Sequence, residues 1–152
     1  MIISFAGHAF IGSHNTVKES VKRHIKENAV MHEPMYCYLG GYGEFDEICA
    51  YACRELKKEF SNIVLVYVTP YITVSAQEKI KESQQLRLYD ASIYPPIENC
   101  CHRLAIIKRN EWMMASADLV IAYVSHNYGG AYRSLQAAKR NKKRIINICN
   151  QP

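Results

Sequence analysis

The chain has 152 residues, 49% of them hydrophobic and 22% charged, which is enough apolar side chain to bury a core and too little charge for a disordered polymer. No run approaches the roughly 18–20 apolar residues of a membrane-spanning helix, and Met1 leads straight into Ile2-Ile3-Ser4-Phe5-Ala6 without a basic leader, so a cytoplasmic protein with no membrane partner is expected. The six cysteines include no C-x-x-C pair and read as buried, reduced thiols, with neither a metal site nor a resident cofactor called for.

In chain order, residues 2–6 are an apolar strand and Gly7-His8 opens a loop that runs to Asn15. A helix follows, with Val17, Val21 and Ile25 on its inner stripe, Lys18, Lys22 and Lys26 on its wet face, and Ser13 or Asn15 as N-cap. Residues 35–39 form a second strand. The glycine-rich turn Gly40-Gly41-Tyr42-Gly43-Glu44-Phe45-Asp46 comes next. The helix after it is the clearest in the chain, repeating Phe45, Ile48, Cys49, Ala52, Cys53, Leu56 and Phe60 at helical spacing.

Residues 63–68 are a third strand, ended by Pro70. Residues 71–98 give the weakest signal: a polar helix over 76–85 and a short strand within 86–93. A helix over 99–116 is predicted to turn Leu104, Ile107 and Trp112 inward, with Lys108-Arg109-Asn110-Glu111 near its middle. Residues 119–124 form a buried strand, the loop 125–130 leads to a helix with Leu135 and Ala138 inside, and residues 145–149 are the last strand. This alternation predicts one domain over residues 1–152, a three-layer α/β fold with a mainly parallel central sheet of about five strands.

In such folds ligands sit beyond the carboxyl ends of the strands. With the strands at 2–6, 35–39 and 119–124 as neighbours, Gly7-His8, Gly40–Asp46 and His126 with Gly129-Gly130 would share one rim. Converging backbone N–H groups at glycine turns and helix starts suit the phosphate of a nucleotide-type small molecule. His8 and His126 could donate to it or move a proton, and Tyr42, Tyr71, Tyr94 or Tyr128 could stack on a base. Asp46 stands where a helix N-cap is wanted, yet it could also hold a ribose hydroxyl or, with Glu44, do acid/base chemistry.

Several stretches together resemble the nucleotide-binding SLOG superfamily, most closely its small YpsA-like bacterial and phage proteins. They are Phe5-Ala6-Gly7-His8, Gly40–Asp46, Tyr94-Pro95-Pro96, Lys108-Arg109-Asn110-Glu111-Trp112-Met113, the run from Ala117 to Tyr123, and Gly129-Gly130-Ala131. The resemblance implies a Rossmann-like fold, a nucleotide or nucleotide-derived ligand and a homodimer. The phosphoribohydrolases of the superfamily are more distantly similar, as are the nucleoside deoxyribosyltransferases. By that likeness Arg109 matches a substrate-binding arginine, which could hold a phosphate bidentately.

The departure is at the late glycine turn. Those enzymes carry a catalytic Glu there, whereas Gly129-Gly130-Ala131-Tyr132-Arg133-Ser134 has no carboxylate. Cleaving a glycosidic bond needs one, so Glu44, Asp46 or Glu111 would have to substitute. Binding or sensing of the ligand is therefore the first reading, and N-glycosidic hydrolysis of a nucleotide is the alternative. A nucleic-acid or protein-interaction module using the densest basic run, residues 139–144, comes third. Nucleic acid is set aside as a partner because cations there complement a helix end and no aromatic-basic stripe accompanies them in the sequence.

Overall fold

The computed structural model describes residues 1–30 and 32–150. Its strands are β1 (Ile2–Gly7), β2 (Met35–Leu39), β3 (Ile63–Val68), β4 (Ala91–Ile93), β5 (Leu119–Tyr123) and β6 (Arg144–Asn147). They form one sheet in the order β4-β3-β2-β1-β5-β6, parallel at every pairing. The apolar runs of β1, β2, β3 and β5 are what a sheet covered on both faces requires. The chain builds outward from β1 to β4, then returns to place β5 on the other side of β1, so the strand order reverses between β1 and β5. A crevice opens at such a reversal.

The helices are α1 (His14–Asn28), α2 (Glu44–Lys57), α3 (Val74–Gln85), α4 (Ala105–Ser116) and α5 (Gly129–Arg140). One face of the sheet packs Ile3, Phe5, Cys37 and Leu65 against Val21 and Ile25 of α1 and Phe45 and Leu56 of α2. The other packs Ala6, Val66 and Val120 against Met113 and Met114 of α4 and Leu135 and Ala138 of α5. Lys18 and Lys22 both reach Glu55 at 2.9 Å across the α1–α2 seam, and their hydrogen bonds hold its carboxyl down to about 2.

Four details differ from the sequence reading. The sheet has six strands where about five were expected, the sixth being β4, which falls within the short strand read over 86–93. The last strand stops at Asn147, and a 3-10 turn spans Ile148–Asn150. The predicted helix from residue 99 begins instead as a 3-10 turn, His102–Leu104, running into α4. Of the cysteines, Cys37, Cys49 and Cys53 are buried, but Cys101 is exposed and Cys100 and Cys149 are half-buried.

The inward face of α4 is also not the expected one. Leu104 is 43% exposed, and the buried residues are Ala105, Arg109, Met113 and Met114. Trp112 lies half-buried on the flank, stacked on Tyr38 with ring centroids 5.7 Å apart. Arg109 takes the inward position because carbonyl acceptors wait there, as described below.

α3 contributes no buried residue to either core. Thr73 caps it by accepting from the Ala76 N–H at 3.3 Å, but a 12-residue helix without a packed face is marginal in water. Amide hydrogen exchange should therefore show α3 exchanging orders of magnitude faster than α2, whose Phe45, Cys49, Cys53 and Leu56 are buried. Equal protection in the two helices would mean that α3 is covered in solution.

Candidate functional site

At the β1/β5 reversal lies a cleft of about 460 Å³, within the range of small-molecule sites. The structure brings to its lining Gly7 and His8 from the end of β1, Gly40, Tyr42, Gly43 and Asp46 from the β2–α2 turn, Arg109 from α4, and His126, Gly129 and Gly130 from the β5–α5 turn. The close approach of α2 to β1 depends on Gly7, where a Cβ would stand 2.2 Å from the Phe45 ring.

Arg109 forms part of this lining and is 1% exposed. Its Nη1 donates to the Gly40 carbonyl at 2.7 Å and to the Val68 carbonyl at 2.6 Å, tying together the carboxyl ends of β2 and β3. Its Nε is buried without a hydrogen-bond partner, and its Cζ lies 5.4 Å from the centroid of the Tyr42 ring. Burial lowers its pKa, and the nearby Asp46 carboxylate works in the opposite direction.

Asp46 is inside the first turn of α2; the N-cap position belongs to Gly43, at φ 85°. The Asp46 carboxylate folds back to accept the Gly40 N–H at 2.9 Å and the Gly41 N–H at 2.7 Å. Burial raises its pKa against the pull of those two bonds and of Arg109. The Gly40 peptide is thus gripped from both sides, its N–H by Asp46 and its C=O by Arg109. A Cβ at Gly40 would stand 2.8 Å from Nη1 of Arg109.

The two helix starts that face the cleft differ electrically. Three N–H groups around the start of α2 are occupied, those of Gly40 and Gly41 by Asp46 and that of Glu44 by the Ala9 carbonyl at 3.0 Å. Glu44, Asp46 and Glu47 in its first turn already compensate the helix dipole. The first turn of α5 holds no acid and no capping side chain, and it begins at Gly129 with φ 85°. Its leading N–H groups have no partner within the helix. Ser134 closes the turn from inside, donating to the Gly130 carbonyl at 3.1 Å.

An aromatic stack stands at the rim beside α5. The rings of His8 and His126 are stacked 3.8 Å apart and nearly parallel at 6°, and Tyr128 continues the stack 4.1 Å beyond His126. The Ser125 N–H donates to His8 Nε2 at 2.9 Å, so that nitrogen carries no proton and the ring is the neutral Nδ1–H tautomer. Burial and then the neighbouring His126 push its pKa down.

Five of the predicted residues lie away from the cleft lining, Tyr94 among them. Glu44 accepts the Ile11 N–H at 2.6 Å and pairs with His14 at 3.1 Å, which fastens the β1–α1 loop to α2. Glu111 pairs with Lys108 at 2.9 Å on the outer side of α4. Gly41, at φ 73°, turns the loop where a Cβ would stand 2.7 Å from Tyr67. Tyr71 stacks on His102 instead, at 4.4 Å. Asn110, Met113 and Ser134 line the cleft without having been singled out. Asn110 and Met113 fall in the Lys108–Met113 stretch that carries the resemblance, which was the available signal; Ser134 had none.

No family model matches the sequence, and no curated protein matches it either. Solved structures do. DNA processing protein A from Helicobacter pylori, described as binding single-stranded DNA, superposes over 95% of this chain and 63% of its own at TM-score 0.59 and 17% identity. DNA processing protein A from Streptococcus pneumoniae gives 94%, 48%, 0.61 and 15% for the same measures. The molybdenum cofactor carrier protein of Chlamydomonas reinhardtii gives 99%, 78%, 0.55 and 12%. The chain therefore spans roughly half to two thirds of the DNA processing proteins it resembles. At these identities the likeness shows the fold, the Rossmann-like α/β arrangement that the SLOG resemblance implied. Among the described residues, no helix is long and apolar enough to cross a membrane.

The staple at Glu44 has a pH signature. Its pKa is lowered, first by the Ile11 N–H and then by His14, so its contribution to stability is present above the ordinary 4.5 and lost as pH falls through the depressed value. Glu44→Gln should lower the thermal midpoint near neutral pH, and the gap to wild type should close as pH falls below about 4.5. A gap that does not depend on pH would rule out the ionised staple.

Proposed function

We propose that this chain is a single SLOG-type, YpsA-like domain, working as a cytoplasmic homodimer, that binds a phosphorylated nucleotide-type small molecule in the β1/β5 cleft. The carrying observation is the bare start of α5. It is uncapped, free of acid and opens at Gly129-Gly130 onto the cleft, which is the arrangement an anion selects. In this reading the phosphate takes the α5 end, and the loop from Gly40 to Gly43 forms a wall. The partnerless Nε of Arg109 offers one further donor, and a base stacks on Tyr128 or Tyr42, which are 69% and 53% exposed.

Binding is favoured over glycosidic cleavage by the carboxylates. Among the described lining residues Asp46 is the single one, and both its oxygens already accept backbone N–H groups. Incubation with nucleoside monophosphates is expected to release no free base, as followed by chromatography. Release that disappears in Asp46→Asn would establish the enzyme instead. Nucleic acid, set aside in the sequence reading, returns as a second reading because a structural neighbour is described as binding single-stranded DNA.

A ligand at 100 times its Kd stabilises the native state by about 2.7 kcal/mol, a rise of about 5–10 °C for a domain of this size. At least one member of a panel of AMP, ADP-ribose, NAD and cyclic nucleotides should produce such a rise. Gly130→Asp separates binding from folding, since a Cβ there meets open space and an acid at a helix N-terminus adds about 0.3–1 kcal/mol. The variant should keep or raise its midpoint and lose the ligand response. A full response in Gly130→Asp would overturn the placement of the phosphate.

A further inference from the structure

The charge of the chain is unevenly divided. After Asp118 the sequence contains no acidic residue, whereas Arg133, Lys139, Arg140, Lys142, Lys143 and Arg144 all follow it. With a net charge of +5 for the whole chain, the residues up to Asp118 are close to neutral. Folding keeps this segregation, because β5, α5 and β6 occupy one end of the strand order and β6 is the edge strand. Arg140 lies 3.9 Å from Glu111, and among the described residues the other five cations are in no ion pair. Helix-end complementarity accounts for Lys139 and Arg140 in the last turn of α5. It does not reach Lys142, Lys143 and Arg144, which lie beyond the helix.

An open groove of about 520 Å³ runs along this edge, lined by His126, Asn127, Tyr132 and Lys139 among others. Tyr132 and Lys139 stand two turns apart on α5 and both line the groove, so the helix brings together an aromatic and a basic side chain that the local sequence keeps apart. His126 lines both the groove and the cleft, so the two are adjacent. An anionic lipid surface fits less well. Adsorption to lipid requires apolar side chains beside the cations, whereas the exposed Ile72, Val74, Leu86 and Leu88 stand by α3 and β4 at the other end of the sheet and the exposed Phe10 stands beside His8 and His126 rather than beside Lys139 to Arg144.

We propose that the α5–β6 edge docks the phosphodiester backbone of a single-stranded nucleic acid, one nucleotide of which occupies the cleft. The occupant is a single strand because its bases must be unstacked to lie against Tyr132 and to enter a cleft of single-nucleotide size. The proposal rests on the reading of the cleft as a nucleotide site. It adds that the nucleotide belongs to a polymer.

The test compares a fluorescein-labelled 12-residue oligothymidylate with thymidine monophosphate, on wild type and on Lys139→Gln/Lys142→Gln/Arg144→Gln, three exposed positions. Polarisation between 50 and 200 mM NaCl should show the oligonucleotide binding wild type at least tenfold more tightly than the monophosphate. Because each phosphate contact on a single strand contributes about 0.7 to the slope of log K against log salt, the triple variant should lose about 2 from that slope. Its oligonucleotide affinity should fall at least tenfold, while circular dichroism and the monophosphate-induced midpoint rise stay as in wild type. Oligonucleotide binding equal in both proteins overturns the proposal, as does binding to phosphatidylserine vesicles in place of the oligonucleotide. Charge-dependent oligonucleotide binding without any monophosphate response keeps the edge as a docking surface and removes the cleft reading.

Discussion

The buried guanidinium of Arg109 is the constraint on which the cleft depends. Taking such a cation out of water costs several kcal/mol, and this one has no carboxylate within ion-pair distance among the described residues. Its offset is two short bonds to the carbonyls of Gly40 and Val68, of a kind worth about 1.5–3 kcal/mol each. Those carbonyls end or follow β2 and β3, where the parallel ladder has stopped and acceptors stand free. Arg109 therefore finishes the sheet. In doing so it sets the height of the glycine turn, whose N–H groups Asp46 holds from the opposite side.

The main strands, the two helical layers and the rim were legible because they follow from local patterns. β1, β2, β3 and β5 are apolar runs bounded by turns, and α2 repeats its core residues at helical spacing. The glycines and histidines of the site lie where such strands end. The inward face of α4 was not legible, since hydrophobicity places Leu104 inside and Arg109 outside. The acceptors that reverse this are 41 and 69 residues away in the chain. α3 and β4 were faint because the helix buries nothing, so selection for a core left no periodic imprint on residues 74–85.

Glu44 and Asp46 show the same limit at finer scale. They are two positions apart in one glycine-rich turn and carry the same charge, yet one fastens the β1–α1 loop and the other fills the turn it came from. Nothing in their spacing separates these roles. What separates them is direction: along the first turn of a helix, neighbouring side chains project to different sides, so Glu44 meets Ile11 and His14 while Asp46 faces Gly40 and Gly41.

Together these contacts decide where the cleft can attract an anion. A glycine-rich turn before a helix has the form of a phosphate loop, but each donor can be used once, and here the Asp46 carboxylate from the same turn has taken those of Gly40 and Gly41. The bare end is α5, beside His8, whose pKa burial and then the neighbouring His126 push down. The positive potential of the cleft therefore comes from backbone N–H groups and from Arg109, which stay in place at any physiological pH. Along α5 that potential is continued by side-chain cations toward β6, so one helix links the mouth of the cleft to the basic edge of the sheet.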